Sequence, residues 1–261
     1  MDNILSLLKS HRSIRKYKPE HIPDELMNNL LNSARQAPTS ANLQVYSIII
    51  VKDQEKKKTL AHLCGDQPWV EACPVFLVLC PDLNRLAKVC EMRGYEFNDR
   101  FIELYTVAVV DTALVAENIL LGAESLGFGG CMIGSIRNNP ADVSKLLELP
   151  KRVFPLMGLC LGYPDQDPMI KPRLPEQAVI HHEKYDDTQY ENSIKEYDPI
   201  IRATGLYDGP RRKGAPIDER IVPDEDYSWS EHTARRAASK NPKATREGLK
   251  AFLESQGFRF E

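Results

Sequence analysis

The apolar run over residues 105–126 constrains the fold more than any other stretch of this 261-residue chain. It is long enough to cross a bilayer, but Asp111, Glu117 and Glu124 are spread through it, and three acids make a spanning helix too costly. The run therefore predicts a buried central helix over about residues 103–126. Its small residues (Ala108, Ala113, Ala116, Gly122, Ala123) let another element approach closely, a second copy of itself included.

Apolar strands are expected around it at residues 45–51, 74–80 and 155–162, with a shorter one inside 127–137. Helices are expected over 3–10, from 24 to before Pro38, over 54–63 behind an Asp53 cap, over 140–149, and near the end over about 242–256. Residues 84–101 are polar and mixed, and both helix and loop fit them. Strands and helices alternate over the first ~185 residues, an α/β-type pattern. The strands are few for such a length, which points to a mixed sheet flanked by helices. From Lys184 onward the composition becomes charged and aromatic, and residues 205–228 read as a mobile insertion.

A net charge of −3 with 27% charged residues gives no push towards nucleic acid or an anionic membrane. The six cysteines form no CxxC pair and no Cys/His metal spacing, so they read as small core hydrophobes in a reduced chain. The N-terminus opens with an acid and lacks a basic leader. A cytosolic protein, with neither nucleic acid nor membrane as partner, is the expectation.

Chemistry concentrates at His11, Arg12, Ser13, Ile14, Arg15 and Lys16, which put an imidazole, a hydroxyl and three cations around one apolar anchor. Such donors suit a phosphate, and a solvated basic turn is the plainer reading. Lys171 and Arg173, held in a proline-stiffened segment, supply a second pair of cations. Residues 38–44 and 65–67 are hydroxyl- and amide-rich loops. Trp69 beside Gln67 reads either as packing or as the border of a flat ligand. The glycines of 127–134 permit close backbone approach, but they follow a helix and put Met132 at the third fingerprint place, so no Rossmann motif is present. No Walker A, HExxH or G-x-S-x-G sequence occurs, no metal site is expected, and His181-His182 reads as a surface pair. Residue chemistry alone points to a binder of a phosphate-bearing cofactor, flavin mononucleotide (FMN) more than a simple phosphate.

The same stretches, His11-Arg12-Ser13-Ile14-Arg15, Pro38–Gln44, Gly65-Asp66-Gln67, Gly129–Asn138 and Lys171–Pro175, resemble the FMN-dependent nitroreductase family. Within it they are similar to the NADPH-preferring branch of flavin and nitro reductases that carries a C-terminal extension. The likeness covers about residues 3–183; the tail is similar mainly through Tyr197-Asp198 and Trp229-Ser230. It implies an α+β fold in a domain-swapped homodimer, with a core over 1–185, a helical C-terminal extension over 186–261 and FMN at the subunit interface. His11, Arg12, Ser13, Lys171 and Arg173 are then the phosphate clamp, and Arg15 is the cation near flavin N1/O2. Thr39, Ser40 and Asn42 reach over from the partner, Gln67 contacts the ring or ribityl chain, and Ile133 and Gly134 lie beside N5. The implied reaction is ping-pong: NADPH gives a hydride to flavin N5, and a nitroaromatic, quinone or free flavin takes the electrons. No protein side chain is then the catalytic group. Arg202, Arg211 and Arg212 are candidates for the NADPH 2′-phosphate. Met132 and Ser135 depart from the family pattern, at places where an aromatic and a glycine are common. The competing expectations are a flavin carrier without turnover, or a relative with dehalogenating or flavin-destroying chemistry.

Overall fold

A computed structural model describes residues 4–98, 100–208, 222–223, 226–241 and 245–260. It divides into two units, Met1–Met169 with Gly248–Glu261, and Ile170–Glu247.

In the first unit, α1 (Ile4–Lys9) and α2 (Asp24–Ala34) precede β1 (Tyr46–Val51). Then come α3 (Gln54–Leu63), α4 (Pro68–Ala72), β2 (Val75–Pro81), α5 (Asn84–Arg93) and α6 (Ile102–Ser125). The unit continues with β3 (Gly129–Ile133), α7 (Pro140–Leu146) and β4 (Met157–Gly162). The strands lie in the order β1-β2-β4-β3.

Every pairing in this sheet is antiparallel, with Leu77 opposite Leu159 and Cys131 opposite Cys160. The mixed sheet expected from sequence is corrected here. Continuous apolar runs report that a strand is covered on both faces, which β2 is along its whole length, and burial of that kind does not encode strand direction. Alternate β2 residues serve the two faces: Val75, Leu77 and Leu79 meet α2 and α6, while Phe76, Val78 and Cys80 meet residues of α3, α4 and α7. The sheet is thus the middle of three layers.

The central helix forms as expected. Its buried positions, Ala108, Asp111, Thr112, Val115, Ala116, Ile119, Leu120 and Ala123, recur at helical spacing on one face, while Val110 and Leu114 on another are exposed. α3 takes the expected bounds because the Asp53 carboxylate accepts the Lys56 N–H at 2.8 Å. The undecided stretch after residue 84 becomes α5, which ends on left-handed Gly94. α7 stops at Leu146, short of the expected 149. All six cysteines are free thiols, and every one except Cys90 is buried.

The second unit holds two helices that sequence patterning missed, α8 (Tyr190–Arg202) and α9 (Trp229–Ala237). They are joined through the residues that carried the tail resemblance. The rings of Tyr197 and Trp229 meet edge to face at 5.6 Å, and the Asp198 carboxylate accepts the Ser230 N–H at 3.0 Å, at the positive end of α9. Most of the expected insertion, residues 209–221, 224 and 225, lies outside the described residues. The last helix, α10 (Leu249–Ser255), starts later than expected; its Leu253 and the following Phe258 pack with Val45, Leu83, Ala108 and Phe154 of the first unit.

Candidate functional site

The basic turn is held against β3 and the chain that follows β4. The Ile14 N–H donates to Gly130 O at 2.8 Å, Lys18 N–H donates to Tyr163 O at 3.0 Å, and Asp165 N–H donates to Lys16 O at 3.0 Å. The Ile14 side chain is buried, and the Tyr17 hydroxyl donates to Ile14 O at 2.6 Å. Burial pushes the Tyr17 phenol well above its ordinary range, so it acts here as a neutral donor. Gly129 lets the turn lie this close: a Cβ there would sit 2.3 Å from Ile14 Cγ1.

His11, Arg12 and Arg15 have different neighbours. His11 Nδ1 lies 2.6 Å from Glu124 Oε1 on α6. Arg12 pairs with Asp167, and with Glu124, Gly127 and Gly129 these two line a cavity of about 200 Å³. Arg15 has no carboxylate within ion-pair distance among the described residues; its guanidinium lies over the Trp69 ring, 5.6 Å from the centroid. The Ser13 hydroxyl is half-buried and makes no hydrogen bond to a described residue.

Gln67 and the strand β3 region come together although 68 residues separate Gln67 from Ser135. The Gln67 amide donates to the Ser135 hydroxyl and, at 3.0 Å, to Cys64 O. Left-handed Gly65 and Asp66 turn the chain from α3 towards this contact. Burial pushes the Cys64 thiol up to about 12, opposed by its hydrogen bond with Ser135. Ile133 is buried, and Gly134 leads the turn after it. The Arg137 guanidinium sits beside that glycine and donates to Leu156 O; burial holds its pKa below the ordinary arginine range.

The loop with Thr39, Ser40 and Asn42 is anchored elsewhere. Asp111, fully buried on α6, accepts Ser40 N–H at 3.0 Å and Val45 N–H at 3.3 Å. Ala41, Asn42 and Gln44 adopt left-handed backbone, and Arg85 Nη1 donates to Gln44 O at 2.8 Å. Asp111 and Glu124 are 13 positions apart on α6, about 20 Å along its axis. One chain therefore holds its basic turn and its 39–44 loop at separate stations on the same helix.

In the second unit, Lys171 and Arg173 line a cavity of about 660 Å³ with Tyr197, Tyr207 and Trp229. Arg173 Nη1 donates to Lys171 O at 2.9 Å, and Tyr197 donates to Pro172 O at 3.0 Å, fixing the segment. Arg202 is exposed at the end of α8; Arg211 and Arg212 lie outside the described residues. No cluster of His, Cys, Asp or Glu suited to a metal occurs among the described residues.

The model of the Nitroreductase family matches residues 8–163, and that of the Nitroreductase family, C-terminal domain, matches residues 171–261. The chain belongs to the nitroreductase family. Among its relatives is an FMN reductase [NAD(P)H] of Bacillus subtilis, 34% identical over 265 residues, covering 100% of both chains. An NADPH-flavin oxidoreductase of Vibrio harveyi is 40% identical over 203 residues, 78% of this chain and 82% of the relative. Of solved structures, NfrA2 of B. megaterium superposes with a TM-score of 0.87 at 35% identity and 100% coverage of both chains. The NADPH:FMN oxidoreductase of Vibrio harveyi, solved with NAD+, gives 0.84 at 34% identity over 98% of each. Within this nitroreductase-family frame, Glu124, Asp167 and Asp111 organise the candidate site although no sequence motif placed them there, and Ser135, noted only as a departure from the family pattern, is the partner of Gln67.

Proposed function

We propose that this chain is an FMN-dependent NAD(P)H oxidoreductase that reduces nitroaromatics, quinones or free flavin. The observation that carries the reading is the seating of the basic turn on β3 through Ile14 and Gly130, which groups cationic donors with the close-packed backbone before Ile133 and Gly134. The donor set fits FMN: a hydroxyl and cations for a phosphate, Arg15 with no carboxylate among the described residues to cancel its charge, and glycine-lined backbone for a flat ring. FMN held there would supply the hydride-transfer chemistry between nicotinamide and acceptor.

The chain's own groups bind and orient. His11, Arg12 and Ser13 hold the phosphate, and Lys171 and Arg173 are the further cations proposed for phosphate binding. Arg15 faces the pyrimidine end of the ring, Gln67 borders it, and Ile133 and Gly134 lie beside the reacting edge. The two stations on α6 support a homodimer in which Thr39, Ser40 and Asn42 complete the partner's site, since one chain keeps its own loop about 20 Å along the helix from its basic turn. Arg202, Arg211 and Arg212 are the arginines proposed for the NADPH 2′-phosphate. The free thiols suit a reducing cytosol.

Absorbance spectroscopy of the purified protein tests the reading. A yellow dimer whose flavin band bleaches on adding NADPH anaerobically, and recovers with a nitroaromatic or quinone, is expected. A yellow protein that NADPH does not bleach is a flavin carrier, and a colourless one that takes up no FMN overturns the cofactor assignment.

A further inference from the structure

His11, Arg12 and Arg15 of the basic turn are treated unequally by their surroundings. His11 is beside Glu124 and Arg12 is paired with Asp167, so each faces a carboxylate. Arg15 is partly buried, yet among the described residues no carboxylate lies within ion-pair distance and none of its N–H groups finds a hydrogen-bond acceptor. What holds it is Trp69, whose ring centroid lies 5.6 Å from the guanidinium carbon.

We propose that Trp69 is the positioning residue for Arg15, and through it sets how much more tightly this protein binds reduced than oxidised FMN. The inference rests on the placement of Arg15 at the flavin's pyrimidine end given above. A carboxylate would hold the guanidinium but cancel its charge. An aromatic face attracts the cation through its quadrupole, leaves the net charge intact, and leaves the in-plane N–H donors free to point at a ligand. Reduction adds negative charge to the flavin, so an uncancelled cation fixed beside it favours the reduced form.

Trp69 is itself well fixed. It sits in α4, just after the Gly65–Asp66 turn, and packs against the buried cluster around Phe76 and Cys160. Its indole Nε1 is buried with no acceptor among the described residues. A hydrogen bond from the indole is therefore not what the site uses; the ring face is. A phenyl ring at this position keeps that face without the orphaned N–H.

The test compares FMN-loaded wild type, Trp69→Phe, Trp69→Met, Arg15→Lys, Arg15→Gln and the double variant Arg15→Gln/Trp69→Met. The reading is the ratio of oxidised- to reduced-FMN dissociation constants, obtained from the flavin midpoint potential. Arg15→Gln is expected to lower the ratio about a hundredfold. Trp69→Met and Arg15→Lys are expected to lower it about tenfold, close to 30 mV more negative for a two-electron couple. Trp69→Phe changes it less than threefold, and the double variant matches Arg15→Gln, because Trp69 acts only through Arg15.

If Arg15→Gln shifts the potential and Trp69→Met does not, or if the two effects simply add, the positioning role is overturned and the flavin placement stands. If Arg15→Gln leaves the potential unchanged, the placement of Arg15 itself is wrong. Should Trp69→Met fail to keep its flavin, Arg15→Lys decides, since it retains the charge and loses the planar face: a wild-type potential there overturns the proposal.

Discussion

Asp111 shows how one side chain can anchor a whole site loop. Its carboxylate is fully buried and spends both oxygens on backbone N–H groups at the two ends of the 40–45 segment. Asp111→Asn replaces one of those acceptors with a donor, which then faces an N–H across a buried contact. A loss of about 1–3 kcal/mol in unfolding free energy is expected from urea titration. Arg12 makes a different prediction, because its partner Asp167 is largely exposed and the pair is weakly held. The arginine can exchange that carboxylate for a phosphate at little cost. Arg12→Ala should leave unfolding nearly unchanged but weaken FMN binding by about 1.5–3 kcal/mol, roughly ten- to more than a hundredfold in Kd by fluorescence titration. Full FMN occupancy in the variant at low micromolar protein would remove Arg12 from the clamp.

At the scale of elements, the turn and β3 stand or fall together. Gly129→Ala would place a Cβ 2.3 Å from Ile14 Cγ1 and 2.8 Å from Ile14 Cβ, so the turn must lift from the strand. We expect a loss of about 1–3 kcal/mol in stability together with weakened FMN binding. Gly248→Ala is the matched control, with open space around the new methyl and an ordinary backbone angle; it should be neutral or slightly stabilising. Equal effects of the two substitutions on FMN binding would separate the cofactor from β3. The elements themselves were legible in the sequence wherever local chemistry decides them: the Asp53 cap, the apolar run of β2, the length of α6 and the glycines at 129 and 130. Strand direction was not, because antiparallel and parallel strands covered on both faces have the same apolar pattern. α8 and α9 were missed because they meet through particular partners, Tyr197 on Trp229 and Asp198 with Ser228 and Ser230, which lie about thirty positions apart and which no local pattern marks. The pairs His11–Glu124 and Arg12–Asp167 join residues more than a hundred positions apart, and nothing local marks such a partner.

For the whole molecule, the two-faced sheet that positions the site also stores a dependence on alkaline pH. Cys64, Cys80 and Cys160 lie in the cluster on the α3 side of the sheet, with Tyr17 packed against it. Burial raises the pKa of all four groups, for Cys64 to about 12 from an ordinary 9.0. The sign follows from proton binding. Below pH 9 the Cys64 thiol is protonated in both the folded and unfolded chain, and its preference for burial contributes fully. Above 9 the unfolded chain releases its proton while the folded chain keeps its own until about 12, so stability falls across that window. Each such group contributes a slope of at most about 1.4 kcal/mol per pH unit. Urea titrations under reductant from about pH 8 to about pH 11 should therefore show unfolding free energy constant at first and then steadily decreasing. Cys64→Ala should make that decrease shallower by up to one proton's worth, the remaining slope belonging to Cys80, Cys160 and Tyr17. An unchanged slope in Cys64→Ala would mean that this thiol titrates alike in the folded and unfolded chain. Its place in the dry layer beneath Gln67 and Ser135 would then be wrong, and the support it gives that edge of the flavin site would go with it.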